Sequence, residues 1–209
     1  MCLNNWGGID HKVLEFHEYV NLFSGKSGSG KSTVMDAIQV ILYGSFSPSF
    51  LNKAADDAKN RRSVLSYLRG EQKDGSANRK DCDFCSVIAL EIEDTGTHII
   101  TCIGIAFEVR KSDSEIKKFV YFSHSGKMPE SEYLTEQGVC YSNQEIKKLV
   151  SARTKSDDNR GKGEVNRIYG SKEAYLGTLY DVILGYIDQN RFITMEKLSL
   201  IHISEPTRP

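Results

Sequence analysis

The sequence predicts an α/β fold, and three observations carry that expectation. Gly25, Lys26, Ser27, Gly28, Ser29, Gly30, Lys31 and Ser32, followed by Thr33, satisfy the pattern G-x-x-x-x-G-K-[ST] in full. This loop stands between a short apolar run, Val20, Asn21, Leu22 and Phe23, and a segment in which Val34, Ala37, Ile38, Ile41 and Leu42 recur at helical spacing without proline. Residues 84–124 then switch to strand-length runs rich in β-branched and aromatic side chains.

The elements follow in chain order. Residues 2–6 and 13–16, either side of a Gly7-Gly8 turn, read as a β-hairpin or two strands, and residues 20–23 as a buried strand feeding the loop. The helix starts near Lys31. Residues 44–49, with Pro48, are its turn-rich exit, and residues 53–60 are polar. A basic cluster, Lys59, Arg61, Arg62 and Arg69, precedes a charged stretch, 71–81, that reads as an exposed loop. A hairpin broken at Asp94, Thr95 and Gly96 occupies 84–109, and Phe119, Val120, Tyr121 and Phe122 supply another strand, so the region is a mostly antiparallel sheet inserted after the helix. Ser142 and Glu145 form a capping box for a short helix through Val150, and residues 155–164 form a loop. Ser171 caps a last helix whose Tyr175, Leu176, Leu179, Val182 and Ile183 make an ordinary core stripe, stopped by Gly185.

The strand, loop, helix order has a chemical consequence. Glycines at 25, 28 and 30 allow positive φ and close approach to an anion, so successive N–H groups can converge on one concavity. The first amides of the following helix lack intrahelical acceptors, and the helix dipole adds partial positive charge there. Lys31 adds a full charge toward the β- and γ-phosphates of a nucleoside triphosphate, and the Ser32 hydroxyl is the expected Mg²⁺ ligand. A nucleoside triphosphate and Mg²⁺ are therefore the expected ligands, held by residues 25–33.

Bulk properties narrow the classes. With 209 residues, 39% hydrophobic and 26% charged, the chain is expected to be soluble and large enough to bury the core of one domain. No run of eighteen apolar residues exists and no basic-then-apolar leader opens the chain, so neither a membrane span nor a signal peptide is indicated and the cytoplasm is the expected compartment. A net charge of −1 carries no general nucleic-acid signal, although a balanced total can hide a local basic face. Cysteines at 2, 82, 85, 102 and 140 are odd in number and suggest reduced thiols. Cys82 and Cys85 have the spacing of half a zinc site, but no second pair completes four ligands; the alternative is two cysteines at the start of a strand. Residues 198–209 look like a translated sequencing-library adapter, which leaves residues 1–197 as an N-terminal piece of a longer chain.

Taken together, these segments resemble the N-terminal head segment of SMC-like ATPases, above all that of the condensin-related subunit of Wadjet plasmid-defence systems (JetC), with MukB and SbcC as more distant relatives. Leu3, Asn4, Asn5 and Trp6, with the strand expected at 13–16, are similar to the family's opening segment. Residues 24–42 look like its Walker A motif and helix. Phe50, Leu51, Asn52, Lys53, Ala54 and Ala55, the arginines at 61 and 62, and Tyr67, Leu68, Arg69 and Gly70 look like the segment that follows. A weaker likeness at 187–192 makes Gln189 a Q-loop candidate for the Mg²⁺ shell, against a reading as a solvated loop residue.

The resemblance implies a P-loop NTPase of the ABC type, with residues 1–197 as the N-terminal lobe of an incomplete head. It implies two heads sandwiching two ATP molecules, a long coiled coil, and an engaged homodimer that handles double-stranded DNA with kleisin and winged-helix subunits in DNA loop extrusion or plasmid defence. Arg61, Arg62 and Arg69 are then candidates for backbone-phosphate contact; as a second reading, these residues form a solvated helix face balanced by Asp56 and Asp57. Three other functions fit the loop: the ATPase subunit of an SbcC-like repair nuclease, a small-molecule kinase, and a non-catalytic nucleotide sensor.

In such heads the signature motif and the Walker B acids come from the C-terminal half, and phosphoryl transfer needs several parts in place at once. Purified residues 1–197 are therefore expected to show negligible ATPase activity. Robust turnover by that fragment, abolished by Lys31→Ala, contradicts the expectation.

Overall fold

Two faces of one antiparallel sheet organise the chain. The computed structural model describes residues 1–26, 28–47, 51, 63–72, 75–156 and 165–180. Among these, β1 (Cys2–Trp6), β2 (Ile9–Val13), β3 (Phe84–Glu93), β4 (Ile100–Val109), β5 (Lys118–Ser125) and β6 (Arg167–Tyr169) lie in the order β2-β1-β3-β4-β5-β6. Every neighbouring pair is antiparallel. The helices are α1 (Lys31–Tyr43), α2 (Val64–Arg69), α3 (Asn143–Ser156) and α4 (Lys172–Thr178).

Period-two alternation separates the two faces. Leu3, Ile88, Ile103, Ile105, Phe107 and Tyr121 point to one side, where Val34, Ala37, Val40 and Ile41 of α1 pack together with residues of α2 and α4. Cys2, Val87, Ala89, Ala106 and Phe122 point to the other, under Ile146 and Val150 of α3 and Tyr133 of the turn before it. Gly104, on β4, admits the Phe122 ring across the strand: a Cβ there would come within 2.7 Å of that ring and 2.6 Å of the Ile88 carbonyl.

The expected helix after the loop is present. Its carbonyl end is closed by tyrosine hydroxyls that donate to main-chain oxygens: Tyr175 to Ile41 (2.9 Å), Tyr180 to Leu42 (2.9 Å) and Tyr121 to Gly44 (2.6 Å). Burial raises the pKa of all three phenols, Tyr121 to about 12, which keeps them protonated as donors. Capping at 142–145 is also as expected, with Glu145 accepting from the Ser142 amide at 2.6 Å and Ser142 Oγ accepting from the Glu145 amide at 3.3 Å. Ser171 Oγ accepts from the Ala174 amide at 3.2 Å to open α4.

Several expectations are corrected. The sheet is not a separate insertion: β1 pairs with β3, so the N-terminal hairpin and the 84–125 strands form one sheet. The hairpin's second strand is Ile9–Val13 rather than 13–16, because the two-residue Gly7-Gly8 turn brings Ile9 directly opposite Trp6. Residues 20–23 form no strand. They have no neighbouring strand among the described residues, and Val20 and Leu22 are 77% and 88% exposed. Helix α3 runs six residues past the expected end at Val150, to Ser156, and β6 was not anticipated. The 71–81 stretch is not wholly exposed, since Arg79 is buried within it. Arg61, Arg62, Gln189, Val182, Ile183, Gly185 and the 198–209 tail lie outside the described residues. Among the described residues no helix is long and apolar enough to cross a membrane.

His124 is fully buried on the α3 face of β5. Its Nδ1 faces the Ser125 carbonyl at 3.1 Å and its Nε2 faces the Tyr133 hydroxyl at 3.0 Å. The neutral tautomer with the proton on Nδ1 satisfies both, Nε2 accepting from Tyr133. Burial is the main cause that lowers the His124 pKa, with the positive charge of Arg153 adding to it against the Ser125 carbonyl and Glu91. The unfolded chain therefore takes up a proton that the folded chain refuses. Stability is expected to be full above the ordinary histidine range and to fall as the pH drops from about 7 to about 5. Thermal unfolding across that interval checks this: His124→Gln flattens the fall, and an equal fall in both proteins assigns it elsewhere.

Candidate functional site

The loop between residue 24 and α1 takes the conformation that its glycines permit. Gly25, Gly28 and Gly30 have φ of 153°, 84° and 87°. Nothing lies within 4 Å of a Cβ built on Gly28 or Gly30, so it is the backbone conformation rather than crowding that demands glycine there. Gly25 is restricted by space as well, with Ser29 Oγ 2.6 Å from such a Cβ. The Ser29 amide donates to the Lys26 carbonyl at 3.2 Å, closing the turn. Ser27, in the middle of the loop, lies outside the described residues.

Gly30 caps α1 in the left-handed conformation and offers no side-chain acceptor to the first turn. An ordinary helix start has Ser, Thr, Asp or Asn here to bind one of the free amides. Helix α1 leaves that role open and also has no acidic residue in its first turn. With its carbonyl end closed by tyrosines, the donors and the positive end of the helix dipole at Lys31, Ser32 and Thr33 are what the helix presents.

Lys31 curls back over its own loop. Its ammonium lies 2.6 Å from the Gly25 carbonyl, 3.0 Å from the Lys26 carbonyl and 3.4 Å from Ser29 Oγ. A full positive charge is thereby held at the rim of the glycine turn by acceptors that an anion can replace. Ser32 is exposed, as a cation-binding hydroxyl has to be. Both residues fit a magnesium-bound polyphosphate.

Behind the loop stands a buried bracket. Trp6, at the end of β1, donates its indole N–H to the Thr33 carbonyl at 2.8 Å and stacks on Tyr67 of α2, with ring centroids 5.2 Å apart and planes 9° apart. The Tyr67 hydroxyl donates to Asp36 of α1. The Gly7 amide donates to the Tyr67 carbonyl at 2.8 Å, and a Cβ on Gly7 would meet the Thr33 methyl at 2.5 Å. Arg79 completes the bracket, donating to the carbonyls of Gly7 and Leu68 and to Asp10. Trp6 and Tyr67 stand out in the sequence only through the resemblance. The parts played by Asp36 and Arg79 carry no sequence signal, since they depend on contacts with segments distant in sequence: Tyr67 for Asp36, and Gly7 and Asp10 for Arg79.

The remaining candidates are placed elsewhere. Arg69 lies at the end of α2 with its guanidinium donating to the carbonyls of Lys111 and Asp113, at 3.1 and 2.6 Å, and so secures the turn after β4. Cys82 is exposed and Cys85 half-buried, its thiol pushed up to about 11 by burial, and both are free. No group of three or more potential metal ligands occurs among the described residues. An open groove lined by Leu134, Tyr141, Lys148 and Leu149 lies on the α3 side of the sheet, away from the loop.

The family described as the P-loop containing region of the AAA domain matches residues 1–58. That span holds β1, β2, the glycine loop and α1. No curated protein matches the chain.

Proposed function

We propose that this chain binds a magnesium nucleoside triphosphate, ATP, at residues 25–33. The observation that carries this reading is the pairing of a glycine turn at positive φ with an uncapped helix start and a lysine ammonium folded onto the turn. The P-loop match over residues 1–58 supports it independently of that geometry.

The chemistry at each group is ordinary electrostatics. Main-chain amides at 30–33 and the dipole of α1 receive the β-phosphate. Lys31 exchanges the Gly25 and Lys26 carbonyls for phosphate oxygens, and the Ser32 hydroxyl would hold Mg²⁺, which would supply charge neutralisation. The finer reading is an SMC-like ATPase head that pairs with a second copy and acts on double-stranded DNA with kleisin and winged-helix subunits. Its support is the likeness of the segments within residues 3–70 to that family. Within it, Arg61 and Arg62 are assigned to backbone phosphate and Gln189 to the Mg²⁺ shell.

Calorimetric titration of the 209-residue chain with Mg-ATP tests the reading. Binding is expected, and Lys31→Ala is expected to weaken it by about 10- to 100-fold, the loss of one or two charge-assisted hydrogen bonds. Absence of heat with the unaltered chain, or equal affinity in the variant, overturns it.

A further inference from the structure

We infer that Trp6 and Tyr67 are positioning residues for the phosphate loop, setting its affinity for Mg-ATP by fixing the first turn of α1 from behind. The inference rests on the nucleotide reading above and names what regulates that site. It starts from a mechanical problem. A helix start that keeps its donors free for a ligand cannot be fixed by the usual side-chain cap, and α1 begins at a left-handed glycine that supplies none. The end of the helix that has to be placed most accurately is the end least restrained by its own sequence.

The restraint comes from outside the helix. Trp6 is fully buried, and its indole N–H reaches the carbonyl of Thr33, one residue after Ser32. Its ring is held against Tyr67, whose hydroxyl reaches α1 a second time at Asp36, three residues along, nearly one turn. Tyr67 and Asp36 are 2% and 4% exposed, so water competes little for this bond. Two attachments at different heights fix both the position and the rotation of the first turn, where a single one leaves the helix free to roll. Each bond is made through a group that a smaller aromatic residue lacks: the indole nitrogen of Trp6 and the phenol oxygen of Tyr67.

The bracket is itself tied to the hairpin. The Gly7 amide holds the Tyr67 carbonyl, and Arg79 holds the Gly7 carbonyl, so α2 and the β1–β2 turn move as one body with the start of α1. A shift of α2 is therefore transmitted to the amides of Lys31, Ser32 and Thr33.

Trp6 is the only tryptophan in the chain, which makes the bracket its own reporter. In the unaltered chain, selectively excited tryptophan emission is expected to change saturably with Mg-ATP, in step with the calorimetric curve. Tyr67→Phe retains the ring stack and removes the bond to Asp36; Mg-ATP affinity is expected to fall by about 5- to 10-fold. Ile146→Val, on the opposite face of the sheet, serves as a destabilised control and is expected to retain native affinity. Unchanged affinity in Tyr67→Phe, an equal loss in Ile146→Val, or silent emission at saturation overturns the bracket while leaving nucleotide binding intact. Should Tyr67→Phe fail to fold, the emission of the unaltered chain decides alone. Failure of the unaltered chain to bind Mg-ATP removes the nucleotide reading, and the bracket's role with it.

Discussion

The bond from the Trp6 indole to the Thr33 carbonyl holds the part of the molecule on which everything else depends. Helix α1 has opposite needs at its two ends. At the carbonyl end, Tyr121, Tyr175 and Tyr180 donate to main-chain oxygens and satisfy groups that would otherwise be left without partners. At the amide end nothing from the helix itself does the same, and the donors stay available. An arrangement of this kind is slightly unfavourable as folding alone, because a glycine cap with free amides contributes less than an ordinary serine or aspartate cap, by about 0.3 kcal/mol. Tertiary structure offsets that deficit through Trp6, Tyr67 and Asp36.

The sheet explains why such a bracket is possible. Because β1 pairs with both β2 and β3, the N-terminal strand sits inside the sheet rather than at its edge, and its last residue, Trp6, is held opposite Ile9 of β2. Packing of α1 over Leu3, Ile88, Ile103 and Ile105 then sets the helix axis, leaving roll and end position to the bracket. On the other face α3 and the turn at 128–141 seal the sheet, with neutral His124 and Tyr133 satisfying each other in the interior.

Local signals were legible and long-range ones were not. The loop and α1 follow from a motif and a 3.6-residue period, and the caps at Ser142 and Ser171 from the reach of one side chain to an amide three residues on. The strands at 84–125 follow from their composition, and the turn at 94–96 from its Asp and Gly. What failed was pairing. Val20 and Leu22 have strand-forming side chains, but a strand exists only beside another, and no sequence pattern supplies the neighbour. The same limit hid the union of the hairpin with β3. It also hid Arg79, a charged residue in a polar stretch that is buried because the carbonyls of Gly7 and Leu68 and the Asp10 carboxylate satisfy it. Around residues 25–33, the glycine turn and the helix start were readable, and their contacts with Trp6, Tyr67 and Asp36 were not.

Amide hydrogen exchange across residues 28–34, with and without saturating Mg-ATP, tests most directly the claim that the open end of α1 receives phosphate. Slower exchange confined to these amides, with α3 on the opposite face unaffected, is the predicted result. Unchanged exchange at 28–34, or protection centred on the groove beside α3, contradicts it.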